Sequence, residues 1–287
     1  MSGAHPAGGP HPARSGPAAE GRHPAHGRHP AYGRLRAVTP SASVLLCDNP
    51  SVMTLEGTNT WVLRAPGSED CVVVDPGPLD EAHLQRVAAL GHVVSTVLTH
   101  GHDDHAEGAR RFADITGSSV RAVDPALRLG SEGLADGAVV AAAGVELRVL
   151  VTPGHTGDSV CLVLDGDGEA GSVLTGDTVL GRGTTVIDPR TGELGAYLAS
   201  LQRLAELPPG AALLPGHGPE LADAAVVARQ YLAHREQRLH QVRAALAELG
   251  SGASARQVVE LVYADVDTAL WPAAEWSVAA QLRYLRT

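Results

Sequence analysis

His100-Gly101-His102-Asp103-Asp104-His105 places three histidines and two aspartates within six residues of the chain. The stretch follows the apolar run Val93-Val94-Ser95-Thr96-Val97-Leu98, which predicts a short buried strand. The polar side chains are therefore expected in the loop at the end of that strand. Because imidazole nitrogens and carboxylate oxygens bind zinc, manganese and iron, the stretch predicts a metal site. A solvated polar loop is the alternative, and the rest of the sequence must supply the remaining ligands.

The composition limits the class of protein. A chain of 287 residues can bury a large core, either as one domain or as a domain with an appendage. All 22 basic residues are arginines, which excludes a P-loop lysine, a Schiff-base lysine and a Ser-Lys dyad. The net charge of -10 argues against a protein that binds nucleic acid through bulk electrostatics. A nuclease with a local basic track stays possible.

The three cysteines, Cys47, Cys71 and Cys161, lie within or beside apolar strand-like runs. This placement and their odd number predict small core residues in a reducing compartment and no disulfide-linked partner. The sequence has no segment of membrane-span length and no apolar signal-peptide core near Met1. We therefore expect no membrane association and a cytoplasmic location, while the oligomeric state stays open.

The composition changes along the chain and divides it into four parts. Residues 1–36 are rich in Gly, Pro, Ala, His and Arg, which predicts a disordered tail. Residues 37–218 show alternating strand and helix patterns and form the expected catalytic domain. Residues 219–250 predict a long connecting helix, and residues 251–287 predict a small helical appendage.

Three more candidate ligands share the placement of the opening stretch. His155, Asp177 and His217 each follow a short apolar run and lie beside glycine. Each alone would be an ordinary turn residue as readily as a ligand. Loops at strand ends gather along one edge of a layered α/β scaffold, so the four loops are expected to meet. Together they offer five histidines and two aspartates, enough for two metals that share a carboxylate.

In order and spacing, these seven residues resemble the metal motifs of the metallo-beta-lactamase superfamily, and the resemblance covers residues 44–218. It implies the α/β class and a four-layer αββα sandwich with a dinuclear site at one edge. The implied cofactors are two divalent metal ions, with zinc favoured and manganese or iron as alternatives. The implied ligands of one metal are His100, His102 and His155, those of the other are Asp104, His105 and His217, and Asp177 bridges them.

Finer motifs resemble the beta-lactamase-like protein 2 group of this superfamily, whose members include single-strand endoribonucleases. They are Leu55-Glu56-Gly57-Thr58-Asn59-Thr60, Pro153-Gly154-His155-Thr156-Gly157-Asp158-Ser159, Gly176-Asp177-Thr178-Val179-Leu180-Gly181 and His234-Arg235-Glu236.

The C-terminal part resembles the winged-helix appendage of the same group. Ser254 is the expected N-cap of a helix over residues 255–263, and a second helix is expected over residues 272–285. The group usually adds a β-wing after these helices. Because the sequence ends at Thr287, we expect a truncated winged helix.

The resemblance implies a hydrolase in which a hydroxide shared by two metals attacks phosphorus or a carbonyl carbon. Asp104 would be catalytic, both as a ligand and in orienting the nucleophile. Asp75 ends a strand before Pro-Gly and is a candidate to hold a ligand histidine. A simple strand-ending aspartate is the equal alternative. Asn59 and Arg235 are candidate substrate-binding residues.

Phosphodiester cleavage of single-stranded RNA is the leading expectation for the reaction. It draws on the resemblance and on a basic track along the long helix, where Glu236 and Glu248 leave a solvated face as the alternative. That track consists of Arg229, His234, Arg235, Arg238, His240 and Arg243.

Hydrolysis of a small-molecule thioester or ester of the glyoxalase II kind is the second expectation, since it uses the same ligands. A non-enzymatic binding protein would be expected to have lost ligands, and all seven are present. Aspartate rather than cysteine at position 177 argues against a true β-lactamase.

Overall fold

Two β-sheets lie face to face between two layers of helices in the computed structural model, which describes residues 29–188 and 190–286. The space between the sheets is filled by valine and leucine side chains from both, including Leu63, Val72, Leu147 and Leu162. The aromatic residues are few, so aliphatic side chains carry this core. The predicted αββα sandwich is confirmed.

The first sheet has six strands in sequence order, antiparallel from β1 to β4 and parallel from β4 to β6. These strands are β1 (Arg36–Ala37), β2 (Ala42–Leu46), β3 (Asn59–Leu63), β4 (Asp70–Val74), β5 (His92–Val97) and β6 (Ser119–Arg121). Helices α1 (Glu81–Ala88) and α3 (Ala109–Thr116) cover its outer face through Leu84, Val87 and Phe112. The short helix α2 (Asp103–Ala106) lies inside the histidine-rich stretch.

The second sheet has five strands in the order β11-β10-β9-β8-β7. These strands are β7 (Val139–Ala142), β8 (Val145–Val151), β9 (Val160–Leu164), β10 (Ser172–Gly176) and β11 (Ala212–Pro215). Helix α4 (Leu194–Ala205) connects the parallel pair β10 and β11. Helix α4 and the long helix α5 (Ala224–Leu249) cover the outer face of this sheet.

A small C-terminal subdomain packs on the far end of α5. Its helices are α6 (Ala255–Val262) and α7 (Trp271–Arg286), with a 3-10 turn over Thr268–Leu270 between them. Ser254 caps α6 in a capping box with Gln257, as its position in the sequence predicts. Val242 of α5 meets Val258 and Val278 in the core of this subdomain. Helix α5 therefore belongs both to the sandwich and to the subdomain.

Contacts with the sheet already begin within the predicted tail. Tyr32 forms a β-bridge with Leu46, and Arg36 pairs with Glu220 at 2.7 Å. The first 28 residues of the predicted disordered tail lie outside the described residues. Within the part that is described, the three cysteines are buried and free, and no helix has the length and apolar character that a bilayer crossing requires.

Candidate metal centre

All four predicted ligand loops meet at one edge of the sandwich. His100 to His105 follow β5, His155 follows β8, Asp177 follows β10 and His217 follows β11. The strands bring these loops together from both sheets, because β5 belongs to the first sheet and the other three to the second. The seven side chains form two groups within which the potential ligand atoms lie no more than 4.8 Å apart.

The first group consists of three imidazoles and the carboxylate of Asp177. His102 Nδ1 lies 3.1 Å from His100 Nε2 and 3.0 Å from His155 Nε2. In the second group, His217 Nε2 lies 3.2 Å from His105 Nε2 and 3.0 Å from Asp104 Oδ2. Each group has the size and the donor atoms of a site for one cation.

Asp177 belongs to the first group and also lies near the second. Its Oδ2 is 3.7 Å from His155 Nε2 and 3.4 Å from His217 Nε2, and its Oδ1 is 3.5 Å from His105 Nε2. Oδ1 is buried and has no hydrogen-bond partner among the described residues. An unpartnered buried carboxylate oxygen is costly, and a cation beside it would remove that cost.

The opposite ring nitrogen of every histidine in the two groups has an oxygen partner, which fixes which nitrogen carries hydrogen. The five contacts are His100 Nδ1 with Thr99 Oγ1 (3.1 Å), His102 Nε2 with Asp188 Oδ2 (2.9 Å), His105 Nδ1 with Asp75 Oδ2 (2.8 Å), His155 Nδ1 with the Val186 carbonyl (2.6 Å) and His217 Nδ1 with the Gly57 carbonyl (3.0 Å). In the neutral imidazoles the converging nitrogens are thereby left with lone pairs that face one another, an unfavourable arrangement that a bound cation would relieve.

Electrostatics favour the ligand forms of His100, His155 and Asp177. Burial lowers the pKa of His100 and of His155, which keeps both imidazoles neutral. Burial opposes ionisation of Asp177, but His217 and His105 beside it hold the pKa of this carboxyl well below its ordinary value. Neutral imidazoles and an ionised carboxylate are the forms that bind divalent metals. Burial opposes protonation of His105 and His217, but Asp104 and Asp177 beside them raise the pKa of both imidazoles, so an ion in the second group would have to displace protons there.

Asp75 lies beside a candidate ligand, at the end of β4. It is 1% exposed, and its carboxylate accepts hydrogen bonds from Thr99 N at 2.8 Å and Thr99 Oγ1 at 2.7 Å, as well as from His105. Its φ of +53° is a left-handed conformation that aspartate tolerates better than most residues. The geometry agrees with the interpretation of Asp75 as a carboxylate that orients His105.

The structure corrects the assignment of Asn59 as a substrate-binding residue. Asn59 is 6% exposed, and its side-chain amide donates to the carbonyl oxygens of Pro215 and Gly218 at 3.0 and 2.9 Å. Because both donors are used on either side of His217, Asn59 holds the His217 loop.

The assignment of Arg235 to substrate binding is also corrected, because this side chain is 3% exposed. Its guanidinium donates to the Thr185 carbonyl and lies 5.1 Å from the centre of the Tyr197 ring. Two other arginines of the expected track make contacts of their own. Arg229 donates to the Ala205 carbonyl, and Arg238 lies over the Tyr263 ring. Burial therefore removes Arg235 from the exposed surface of α5, where Glu236 lies among Arg229, His240 and Arg243.

Sequence reasoning missed Asp188 and the loop that contains it. Asp188 is 6% exposed and holds His102, while Val186 of the same loop holds His155. The only sequence signal is an aspartate before proline in the segment after Asp177, and that pattern occurs in many ordinary turns.

Comparison with known proteins identifies the class. Residues 53–217 match the Metallo-beta-lactamase superfamily, and residues 254–287 match the Beta-lactamase associated winged helix domain. The chain belongs to the metallo-beta-lactamase superfamily, which confirms the resemblance inferred from the sequence.

Several curated proteins of this superfamily are similar to the chain in sequence. The chain is 32% identical over 276 residues to the Beta-lactamase-like protein 2 homolog of Drosophila melanogaster, covering 86% of this chain and 88% of that protein. It is 34% identical over 216 residues to the Lactamase-like protein adaB of Aspergillus niger, covering 73% of this chain and 65% of adaB. It is 31% identical over 248 residues to the Atrochrysone carboxyl ACP thioesterase of Aspergillus chevalieri, covering 81% of this chain and 76% of that protein.

The fold is shared with a Beta-lactamase domain protein from Burkholderia ambifaria. Its crystal structure superimposes with a TM-score of 0.74 at 24% identity and covers 90% of this chain and 89% of that one. The likeness therefore extends past the sandwich into the C-terminal subdomain.

Proposed function

We propose that the chain is a dinuclear metal-dependent hydrolase. The observation that carries the proposal is the convergence of seven side chains whose five imidazoles are all aimed inward by contacts on their outer nitrogens. His100, His102 and His155 would hold one divalent ion, Asp104, His105 and His217 would hold the other, and Asp177 would contact both. The donor set suits zinc best, with manganese or iron as alternatives. When bound, the ions would lower the pKa of a water molecule and draw electron density from the bond being broken.

Asp104 is the carboxylate of the cluster that best reaches solvent. Its side chain is 27% exposed, compared with 11% for Asp177. Burial alone would raise the pKa of Asp104, but His105 and His217 lower it below the ordinary value. An ionised carboxylate at the open side of the cluster accepts a hydrogen bond from the attacking water and orients it toward the substrate. We therefore assign Asp104 a catalytic role as well as a ligand role.

A thioester or ester is the substrate class we favour. One relative that shares 31% identity over 81% of this chain is named a thioesterase. Burial of Arg235 takes one arginine out of the basic track expected to bind an RNA backbone, and Glu236 interrupts the exposed remainder. A thioester carbonyl requires no such track, because attack takes place at a single carbon within the cluster.

Phosphodiester cleavage of single-stranded RNA is the second candidate. It is supported by the resemblance of the motifs at residues 55–60 and 153–159 to the beta-lactamase-like protein 2 group. The identity to a protein of that name over 86% of this chain supports it as well. The same cluster could activate water for attack on phosphorus.

The cellular compartment of the protein is also part of the proposal. Three buried free thiols suit a reducing compartment, so we propose a cytoplasmic enzyme whose partner is its substrate.

A parallel panel of substrates tests the reaction. The zinc-loaded protein is assayed with a glutathione thioester, a lactone, a bis-aryl phosphodiester and a single-stranded RNA oligomer, and the His102→Ala variant is the control. We expect turnover of the thioester and its loss in the variant. Turnover of the phosphodiester and RNA alone would reverse the order of the two candidates. Absence of any turnover that depends on His102 would contradict a hydrolase centred on this cluster.

A further inference from the structure

The segment after Asp177, here called the 178–188 loop, aims two imidazoles of the first group. The Val186 carbonyl accepts from His155 Nδ1 at 2.6 Å, and Asp188 Oδ2 accepts from His102 Nε2 at 2.9 Å. The backbone N–H of Asp188 also donates to the His155 carbonyl at 2.9 Å. A displacement of this loop would therefore turn two of the three imidazoles that are proposed to share one ion.

Helix α5 holds this loop from outside. The hydroxyl of Tyr231 accepts from Leu180 N at 3.1 Å and donates to the Gly183 carbonyl at 2.9 Å. One turn further along the helix, Arg235 donates to the Thr185 carbonyl. The loop thus has two anchor points on α5, and the second lies beside Val186.

Burial of the Arg235 guanidinium at this contact is energetically unfavourable. Arg235 is 3% exposed, its Nε has no partner among the described residues, and no described carboxylate pairs with it. Its charge is balanced by the Thr185 carbonyl and by the face of Tyr197, 5.1 Å from the ring centre. The hydroxyl of Tyr197 donates to the Thr178 carbonyl at 2.7 Å, so the stacked pair contacts the loop at residues 178 and 185. If this position only had to be filled, an apolar side chain would do so without the cost of burying a charge, so the guanidinium is expected to have a specific role.

We propose that Arg235, with Tyr231, is a positioning residue for the first metal group. It fixes the 178–188 loop so that Val186 and Asp188 aim His155 and His102. The inference rests on the proposed two-metal function. The outer nitrogens of the second group bind Asp75 and the Gly57 carbonyl, which lie outside this loop. The loop contacts that group through Gly181 N, which donates to the His217 carbonyl at 2.9 Å, on the side of the loop that Tyr231 holds. Loss of Arg235 should therefore weaken the first ion more than the second.

Metal stoichiometry and loop protection test this selectivity. The full-length wild type and the Arg235→Met variant are loaded with zinc, dialysed against graded chelator and analysed for zinc per chain. We expect wild type to retain two equivalents where Arg235→Met retains one, with the weaker site losing about 10- to 100-fold in affinity. In the metal-free proteins, amide hydrogen exchange of the 178–188 loop should be faster in Arg235→Met than in wild type.

Three further variants complete the experiment. Arg238→Met removes an arginine of the same helix that stacks on Tyr263 instead, and it should behave as wild type. Arg235→Lys keeps a charged donor and should recover part of the loop protection. If Arg235→Met fails to fold, Tyr231→Phe removes only the hydroxyl and should still speed exchange at residues 180–183 and lower zinc retention.

The outcomes separate the two proposals. A folded Arg235→Met that retains both ions as wild type does, with unchanged exchange of the loop, would overturn the positioning role. Equal weakening of both ions would overturn its selectivity. Fewer than one zinc per wild-type chain would instead contradict the two-metal function, whatever the exchange of the loop shows.

Discussion

At the scale of single residues, the centre depends on the atoms behind the ligands as much as on the ligands. Asp75 shows this most directly, because its carboxylate satisfies both Thr99 and the outer nitrogen of His105. His105 lies in the second group beside Asp104 and His217. A partner that accepts hydrogen from Nδ1 keeps Nε2 free to bind metal.

Replacement of Asp75 by asparagine should weaken metal binding. Asparagine has the same shape and tolerates the left-handed backbone found here. Its amide group, however, can place a donor against His105 Nδ1 and favour the wrong tautomer. We expect a loss of about 10- to 100-fold in zinc affinity at one site, measured by chelator competition.

The matched control is Asp70→Asn. Asp70 pairs with His92 at the same distance of 2.8 Å, but both side chains are more than half exposed at the edge of the first sheet. This variant should bind zinc as wild type does. Equal zinc affinity of Asp75→Asn and wild type would show that Asp75 does not orient the ligand.

The residues that the sequence could reveal are those marked by local pattern. His100 to His105, His155, Asp177 and His217 each follow an apolar run, so strand ends alone predict that they meet. Asp188 lies 86 positions from its partner His102 and follows no strand, so only the folded chain connects them. Arg235 was misassigned because a charged residue on a helix is usually exposed, and its burial depends on Thr185 and Tyr197.

At the scale of elements, α4 is docked on the loop that contains His155. The Gly154 carbonyl accepts from Glu193 N at 3.0 Å at the start of α4, and Ser200 Oγ donates to the Pro153 carbonyl at 2.7 Å. Gly154 has a φ of +139°, and a Cβ there would lie 2.3 Å from Tyr197 Cα. Glycine is therefore required for both the turn and the close approach of the helix.

Substitution of Gly154 by alanine should push α4 away from the sheet. We expect the free energy of unfolding to fall by about 3 kcal/mol, because overpacking adds to backbone strain. Urea unfolding of the metal-free protein measures this. Gly157→Ala in the same loop is the control, since its Cβ would meet only Thr191 O at 3.5 Å, and it should change stability little. Similar stability of the two variants would contradict the docking of α4 through Gly154.

Element ends were harder to predict than the elements themselves. The long helix was expected from residue 219 but begins at Ala224, because Asp223 caps it through Val226 N. Helices α2 and α3 meet at Gly108 and do not run on as one helix. There the backbone approaches the Pro78 carbonyl so closely that a Cβ would lie 2.7 Å from it. The start of α5 is set by a local cap, whereas the break at Gly108 comes from contact with a distant part of the chain.

At the scale of the whole molecule, strand ends of both sheets meet at one edge of the sandwich, and each sheet contributes part of the ligand cluster. The first sheet supplies the histidine-rich stretch after β5, and the second supplies His155, Asp177 and His217. Helix α5 then ties the second sheet to the C-terminal subdomain and contacts the 178–188 loop on the way. The strand and helix patterns of the sequence predict the layered class. The contacts of α5 with the 178–188 loop depend on how the helix packs in three dimensions, so the sequence alone does not predict them.

The central claim is that the cluster holds two metal ions, and metal analysis of the purified full-length protein tests it most directly. The protein is stripped with chelator, reloaded with zinc, freed of excess by gel filtration and analysed by elemental mass spectrometry. We predict two equivalents of zinc per chain, and a marked loss in His102→Ala, which removes a ligand of the first group. Fewer than one equivalent per wild-type chain would contradict the dinuclear centre.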